Sequence, residues 1–144
     1  MKIEKSNQTT SAVYRDALAI RRAVFIDEQG IAPEDELDQV TAATWHYVAY
    51  DDQNQPVATA RITPEGPGSW HVQRVATLKT ARGHGYARQL LAQIALDARA
   101  ANTQRLVLGA QVTAQSFYQQ LGFQAVGPEF MEAGLRHQQM QRRF

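Results

Sequence analysis

Apolar residues recur at helical spacing in the first part of the chain, between Ser11 and Ile26. They are Val13/Tyr14, Ala17/Leu18, Ile20 and Val24/Phe25. Residues at this spacing share one face of a helix, so the pattern predicts a helix from Ser11, a suitable N-cap, to Ile26. Gly30 then supplies a stop. Pro33 is favoured in the first turn of a helix and predicts a short second helix from Pro33 to Gln39.

Three segments rich in aromatic and β-branched residues follow, and breaker residues separate them. The segments are Thr44 to Tyr50, Val57 to Thr63 and Ser69 to Leu78. The stretches between them, Asp51-Asp52-Gln53-Asn54 and Pro64-Glu65-Gly66-Pro67-Gly68, have the composition of turns. Short strands joined in this way predict an antiparallel meander.

The second half alternates between helices and strands. Gly83 and Gly85 come directly before a helical pattern that ends by Asn102. The later elements are a short strand at Leu106-Val107-Leu108, a helix from Thr113 to Leu121 stopped by Gly122, and two strands around the Gly127-Pro128 break and Gly134. With a first strand before Ser11, the predicted order is β-α-α-β-β-β-α-β-α-β-β.

Composition narrows the class of protein. With 144 residues, of which 44% are apolar and 20% charged, the chain predicts one globular domain over residues 1–144. Cysteine is absent, which excludes disulfides, thiolate metal sites and cysteine nucleophiles. The net charge of +1 gives no argument for nucleic acid or an anionic membrane as a partner. No run approaches the ~18 apolar residues of a membrane span, and the first residues lack the apolar region of a signal peptide, so we expect a cytoplasmic protein.

The segment Arg82-Gly83-His84-Gly85-Tyr86-Ala87 joins a predicted strand to a predicted helix and has the features of a phosphate site. The first N–H groups of a helix lack intrahelical partners and carry partial positive charge, which favours a bound phosphate. Gly83 and Gly85 lack side chains that would keep phosphate away from the backbone. Arg82 and Arg88 add positive charge, and His84 is a further donor. The alternative is a tight turn that needs glycine and binds nothing.

Other catalytic patterns are missing from the sequence. There is no Gly-x-x-x-x-Gly-Lys-Ser/Thr loop, and Gly83-x-Gly85 lacks the third glycine of the dinucleotide fingerprint. The histidines at 46, 71, 84 and 137 show no metal-ligand spacing, and Gly-x-Ser-x-Gly is absent. We therefore expect neither a bound metal nor covalent catalysis.

The glycine segment resembles the acyl-coenzyme A loop of the GNAT superfamily of N-acyltransferases. That loop has the pattern Gln/Arg-x-x-Gly-x-Gly/Ala, which Arg82, Gly85 and Ala87 meet. Ser116-Phe117-Tyr118-Gln119-Gln120-Leu121-Gly122-Phe123 resembles the family's late helix, and the predicted element order is also that of the family. The resemblance covers nearly the whole chain. It implies a single α/β (α+β) domain with a mixed, mostly antiparallel sheet of six or seven strands and helices on both faces.

The same resemblance implies transfer of an acetyl group from acetyl-CoA, as cosubstrate, to an amine of a small molecule or peptide. The strand end Val75-Ala76-Thr77 should offer backbone groups to the pantetheine arm, and the loop from Arg82 to Arg88, including Tyr86 and Ala87, should bind the diphosphate. Tyr118 matches the family's tyrosine near the sulfur, where a phenol can protonate the departing thiolate. Tyr118 is therefore the candidate general acid, and simple packing of its helix is the alternative.

The acceptor side is less defined. Glu28, at the end of the first helix where the acceptor would approach, is the best candidate for a general base. Six acidic residues and no basic one lie between Asp27 and Asp38. Glu36 and Asp38 in this stretch either attract a cationic acceptor or belong to a solvated face.

Further stretches resemble a bacterial subgroup of small GNAT proteins whose substrates are mostly unassigned. They are Arg22-Ala23-Val24-Phe25-Ile26-Asp27-Glu28-Gln29-Gly30, Glu36-Leu37-Asp38 and Gly134-Leu135-Arg136-His137-Gln138-Gln139-Met140. The N-terminal part also resembles acyl-homoserine-lactone synthases, fold relatives whose chains are usually longer. Two alternatives to an N-acetyltransferase therefore stay open: a non-catalytic coenzyme-A-binding regulatory module and an acyltransferase like those synthases. A homodimer is also open.

Overall fold

The fold is taken from a computed structural model that describes residues 1–38 and 40–144. The strands are β1 (Lys2–Ser6), β2 (Trp45–Tyr50), β3 (Pro56–Pro64), β4 (Ser69–Thr77), β5 (Arg105–Gln111), β6 (Gln124–Glu132) and β7 (Leu135–Arg143). The helices are α1 (Ala12–Arg21), a π-helical segment (Arg22–Glu28), α2 (Pro33–Glu36), α3 (Tyr86–Ala100) and α4 (Gln115–Gln120). Short 3₁₀ turns at Lys79–Ala81 and Val112–Ala114 precede α3 and α4.

The seven strands form one sheet in the order β1-β2-β3-β4-β5-β7-β6. Strands β4 and β5 are parallel, and every other neighbouring pair is antiparallel. Helix α1 packs on one face and α3 on the other. The predicted fold class, a mixed and mostly antiparallel sheet with helices on both faces, is confirmed, as is the predicted element order.

Alternation along the strands gives the sheet two apolar faces. On the α3 face, Leu90 and Ile94 of the helix pack against strand residues such as Tyr47, Ile62 and Leu106. On the α1 face the packed residues are Val13, Ala17, Ile20, Val24, Phe25, Val48, Tyr50 and Ala76. Strands β2 and β3 are covered on both sides, and apolar residues therefore occupy most of their positions.

The first helix differs from its prediction. The Ser11 hydroxyl accepts a hydrogen bond from the Tyr14 N–H at 3.1 Å, as expected of an N-cap. The α-helix ends at Arg21, however, and the chain continues in the wider turns of the π-helical segment to Glu28. Helix α2 ends at Glu36, and the predicted end at Gln39 lies outside the described residues.

The predicted break at Gly127-Pro128 lies inside a strand. Both residues belong to β6, and the β6–β7 register shifts between Ala125 and Glu129. A bulge of this kind accommodates a proline, because the unpaired residues of a bulge need no ladder hydrogen bond.

An opening between β4 and β5 positions the candidate site. Their parallel pairing runs from Ser69/Arg105 to His71/Val107, although β4 continues to Thr77 and β5 to Gln111. The β3–β4 register also gains one residue on β4, between the pairs Arg61/Gln73 and Thr59/Ala76. Arg74 lies at this bulge with a φ of +57°. We call the opening between residues 73–77 and 108–111 the strand gap.

Candidate active site

A groove lies where β4 leads into α3. Its lining residues are Thr77, Ala81, Arg82, Gly83, Gly85, Tyr86, Ala87, Arg88 and Phe117. Most of the residues predicted to bind coenzyme A therefore surround one groove at the end of the strand gap. His84 is exposed and Val75 and Ala76 pack against the two apolar clusters, so these three are not among the lining residues.

The glycines shape the floor of the groove. Gly83 and Gly85 have φ values of +82° and +80°, in the left-handed region that favours glycine. No atom lies within 4 Å of a Cβ built at either position. The space above both glycines is therefore open, and a side chain at either residue would fill the cradle. Gly85 also caps the 15-residue helix α3, whose first N–H groups face this end.

Arg82 and Glu28 form an ion pair across the site. The Arg82 guanidinium donates to both Glu28 carboxylate oxygens, from Nη1 at 2.7 Å and from Nη2 at 2.6 Å. Its Nε donates to the carbonyl oxygen of Thr77 at 3.1 Å. The hydrogen bond from Arg82 lowers the pKa of Glu28, and the same contact raises the pKa of Arg82. Glu28, the predicted general base, is therefore paired with Arg82, a predicted phosphate ligand.

Tyr118 lies behind the groove. Its ring meets Phe117 edge-on at 5.1 Å between centroids and Phe123 at 5.7 Å. Only 7% of Tyr118 is exposed, whereas Phe117 reaches the groove. Burial raises the pKa of the Tyr118 phenol, which keeps the hydroxyl protonated. At the mouth of the groove, Arg88 donates to the side chain of Gln120 at 3.2 Å and so links α3 to α4.

A cluster of charges on the α1 face was not predicted. We call Arg21, Glu36, Asp38, Arg61 and Arg74 the arginine cluster. Nε of Arg21 donates to Glu36 at 2.6 Å, and both residues are 2% exposed. Arg61 donates to both carboxylate oxygens of Asp38, at 2.8 and 2.7 Å.

The arginine cluster corrects the prediction for Glu36 and Asp38. Glu36 is buried rather than part of a solvated face, and both carboxylates are paired with arginines, so neither is free to attract a cation. One signal was present in the sequence: Arg61 stands in the middle of an apolar strand. A charge in such a place requires a buried partner, because an unpaired charge is costly to remove from water.

Two other observations concern partners. Within residues 1–38 and 40–144, no group of three His, Cys, Asp or Glu side chains is placed to hold a metal ion. In the same described part of the chain, no helix is long and apolar enough to span a membrane.

Known proteins share this sequence and architecture. The family model for the acetyltransferase (GNAT) domain matches residues 10–144. The uncharacterized N-acetyltransferase YjcF of Bacillus subtilis (strain 168) is 30% identical over 127 residues, covering 88% of this chain and 89% of YjcF. An N-acetyltransferase candidate from Lactobacillus plantarum has a crystal structure with a TM-score of 0.91 and 31% identity, over 99% of this chain and 97% of that one. An acyl-CoA N-acyltransferase from Pseudomonas aeruginosa has a TM-score of 0.83 and 26% identity, over 99% of both chains.

The match to the domain spans nearly all of the sequence, and the structural neighbours have the same sheet over their full length. The chain therefore belongs to the GNAT acetyltransferase family and is an acyltransferase.

Proposed function

We propose that the protein transfers an acetyl group from acetyl-CoA directly to a primary amine of a small molecule or peptide. The observation that carries this proposal is the groove at the start of α3. It combines two open glycines with positive φ, two arginines and a helix N-terminus, and it continues into the strand gap. The groove at the start of α3 suits the diphosphate of coenzyme A, and the strand gap suits its extended pantetheine arm.

The residues present fit coenzyme A. In the proposal, the backbone N–H groups around Gly83, Gly85 and Ala87 bind the diphosphate with Arg82 and Arg88. The main chain of Val75, Ala76 and Thr77 borders the strand gap, where β5 is not paired with it, and we propose that its N–H and C=O groups on this side pair with the pantetheine amides as a further strand would. Acetyl-CoA supplies the thioester when it binds.

Two side chains handle protons. In the proposed reaction the amine nitrogen forms a bond to the acetyl carbon, the carbon–sulfur bond breaks, and the amine gives up a proton. Tyr118 delivers a proton to the thiolate. Burial raises the pKa of the phenol, so the hydroxyl carries its proton at neutral pH and is a weaker acid than an exposed tyrosine. Glu28 accepts the proton of the amine, directly or through water, once Arg82 has turned from Glu28 to the diphosphate.

The test is release of free thiol from acetyl-CoA in the presence of a panel of primary amines. Acetylation above the slow hydrolysis of the thioester supports the proposal. Binding of coenzyme A without turnover of any amine would instead indicate a regulatory module. Consumption of S-adenosylmethionine with an acyl donor would indicate a reaction like that of the acyl-homoserine-lactone synthases.

Location and assembly belong to the same proposal. We expect the enzyme to act in the cytoplasm, without nucleic acid as a partner, and either alone or as a homodimer. Light scattering at several protein concentrations distinguishes the last two.

A further inference from the structure

The arginine cluster holds more positive than negative charge. Three guanidinium groups, of Arg21, Arg61 and Arg74, face the two carboxylates of Glu36 and Asp38. Glu36 is matched closely by Arg21 and Asp38 by Arg61, at 2.6 and 2.7 Å. Arg74 comes third, and its distances to the same carboxylates are 3.5 and 3.6 Å. The charge of Arg74 is therefore the one without a dedicated counter-ion in the cluster.

The donors of Arg74 are only partly used. Its Nη2 donates to the carbonyl oxygen of Glu36 at 3.3 Å, a long hydrogen bond. Among the described residues, its Nε is buried without a hydrogen-bond partner, and the same is true of Nε of Arg61. A guanidinium has five N–H donors, and those left without acceptors inside a protein are costly. The Arg74 side chain keeps 22% of its surface exposed, so an acceptor from outside can reach it.

Neighbouring groups respond to the excess charge. The pKa of His46 is lowered to about 4, first by burial and then by the charges of Arg21 and Arg61, against the opposite effect of Asp38. Burial also lowers the pKa of Arg74, and the charges of Arg61 and Arg21 add to the effect. Burial is the larger cause for both residues, and the neighbouring guanidinium charges act in the same direction as burial.

Arg74 also lies beside the strand gap, where the proposed function places the pantetheine arm. It lies at the bulge of β4, immediately before Val75, where β4 parts from β5. The bulge directs Arg74 toward Glu36 on the α1 face, the face on which Gln73 meets Arg61. The left-handed φ of +57° at this bulge is unfavourable for arginine.

We propose that Arg74 binds a carboxylate group of the acceptor, so that the acceptor is an amine that also carries a carboxylate. This inference rests on the proposed function and specifies its substrate class. An incoming carboxylate would accept hydrogen bonds from the exposed part of the Arg74 guanidinium and bring the charge of the cluster to zero. A polyamine or a lysine-rich peptide, in contrast, would find the carboxylates of Glu36 and Asp38 already paired with Arg21 and Arg61.

Matched amines test the proposal at saturating acetyl-CoA. Glycine is compared with methylamine, and 4-aminobutanoate with propylamine, each at the same concentration of free base. The two pairs place the carboxylate at different distances from the reacting nitrogen. We expect kcat/KM to be higher for the carboxylate-bearing member of at least one pair, by about 10- to 100-fold, the contribution of a charge-assisted hydrogen bond. Equal values within both pairs would overturn the proposal.

Variants of Arg74 test whether this residue causes the preference for carboxylate-bearing amines. Arg74→Gln should remove the preference. It should lower kcat/KM about 10- to 100-fold for the carboxylate-bearing amine and change kcat/KM for the matched amine without a carboxylate by no more than about twofold. Arg74→Gly should also remove the preference, and it relieves the backbone strain because glycine favours positive φ. It replaces Arg74→Gln in the test if a melting curve shows that Arg74→Gln is unfolded. Arg15→Gln is the matched control, because Arg15 is exposed on α1 and contacts only the backbone of Thr10. Equal losses for both amines would mean that Arg74 only supports the fold.

A second experiment distinguishes an error in the proposed function from an error in the role of Arg74. If no amine is acetylated, the proposed function is wrong, and calorimetric titration of the four amines into the protein with coenzyme A decides the role of Arg74. Binding that requires the carboxylate and is lost in Arg74→Gln supports the carboxylate site. Binding that is indifferent to the carboxylate, or none, overturns it.

Discussion

The hydroxyl of Tyr118 is the one polar group of a buried aromatic cluster with Phe117 and Phe123. Tyr118→Phe deletes that hydroxyl and keeps the ring, so packing should survive. A proton donor acts on the thiolate that forms as the bond breaks, and its loss should therefore lower kcat rather than weaken the binding of acetyl-CoA. We expect kcat to fall on the order of 10²-fold, measured by steady-state kinetics with a confirmed acceptor.

Tyr50→Phe is the control for this change. It also deletes a hydroxyl, one that donates to Asp16 on α1, away from the groove. Its kcat should stay at that of the parent. A Tyr118→Phe enzyme within two- or threefold of the parent would show that solvent protonates the thiolate and that Tyr118 only packs.

Gly85 combines a left-handed φ with open space above it. Gly85→Val should weaken the binding of coenzyme A at least tenfold, because a β-branched side chain resists positive φ and blocks the approach of phosphate to the backbone. Calorimetry with coenzyme A measures the change. Gly66→Val is a matched control, since Gly66 has a φ of +61° and equally open surroundings in the turn before β4. If both variants lose the same affinity, strain alone is responsible and the loop is not the phosphate site.

The sequence predicts the functional residues that are close together along the chain, and not those that only the fold brings together. Gly83, Gly85 and Arg82 are neighbours in sequence, and their chemistry requires that spacing, so a short pattern predicts their groove. The arginine cluster joins residues far apart: Arg21 meets Glu36 across 15 positions, and Arg74 meets Glu36 across 38. Only the folded sheet brings them together. The acidic run near Glu36 therefore suggested a solvated face until its partners were known.

Among the elements, the π-helical segment links the acceptor side to the coenzyme A loop. Its last residue, Glu28, holds Arg82, which in the proposed mechanism turns from Glu28 to the diphosphate. Helical periodicity could not predict the wider turns, because α- and π-turns place nearly the same residues on the buried face. The bulge of β4 was not predicted for a similar reason. One extra residue in a strand does not change its composition, and nothing in the sequence around Arg74 indicates it.

The ion pair predicts opposite effects of Glu28→Gln on binding and on rate. Loss of the carboxylate frees Arg82, so coenzyme A should bind about two- to fivefold more tightly, as expected for a weak exposed ion pair. Pantetheine, which lacks the diphosphate, should bind unchanged. If Glu28 is the base, kcat should fall, and the loss should be greatest at low pH where most of the amine is protonated.

Glu34→Gln separates this effect from a general change in charge. Glu34 is an exposed acidic residue of α2, and its replacement removes the same charge without releasing Arg82. It should leave both the affinity and kcat unchanged. A Glu28→Gln protein with the affinity and rate of the parent would remove Glu28 from the proposed mechanism.

Across the protein as a whole, stability depends on pH through His46, whose pKa is lowered first by burial and then by the charges of the arginine cluster. This residue is 2% exposed, its ring packs edge-on to Tyr14 at 4.8 Å, and Arg21 and Arg61 act on it. Its pKa is about 4 in the folded protein against an ordinary 6.5. Between these values the unfolded chain binds a proton that the folded protein does not. The free energy of unfolding must therefore decrease as the pH falls from about 6.5 to about 4.

The size of this effect follows from the two pKa values. Their difference corresponds to about 3 kcal/mol over the full window. Urea unfolding at a series of pH values measures it, and His46→Gln should flatten the dependence because the amide does not titrate. His84→Gln replaces an exposed histidine and should retain the slope of the parent. If His46→Gln retains the pH dependence as well, His46 is not the group that titrates in this window.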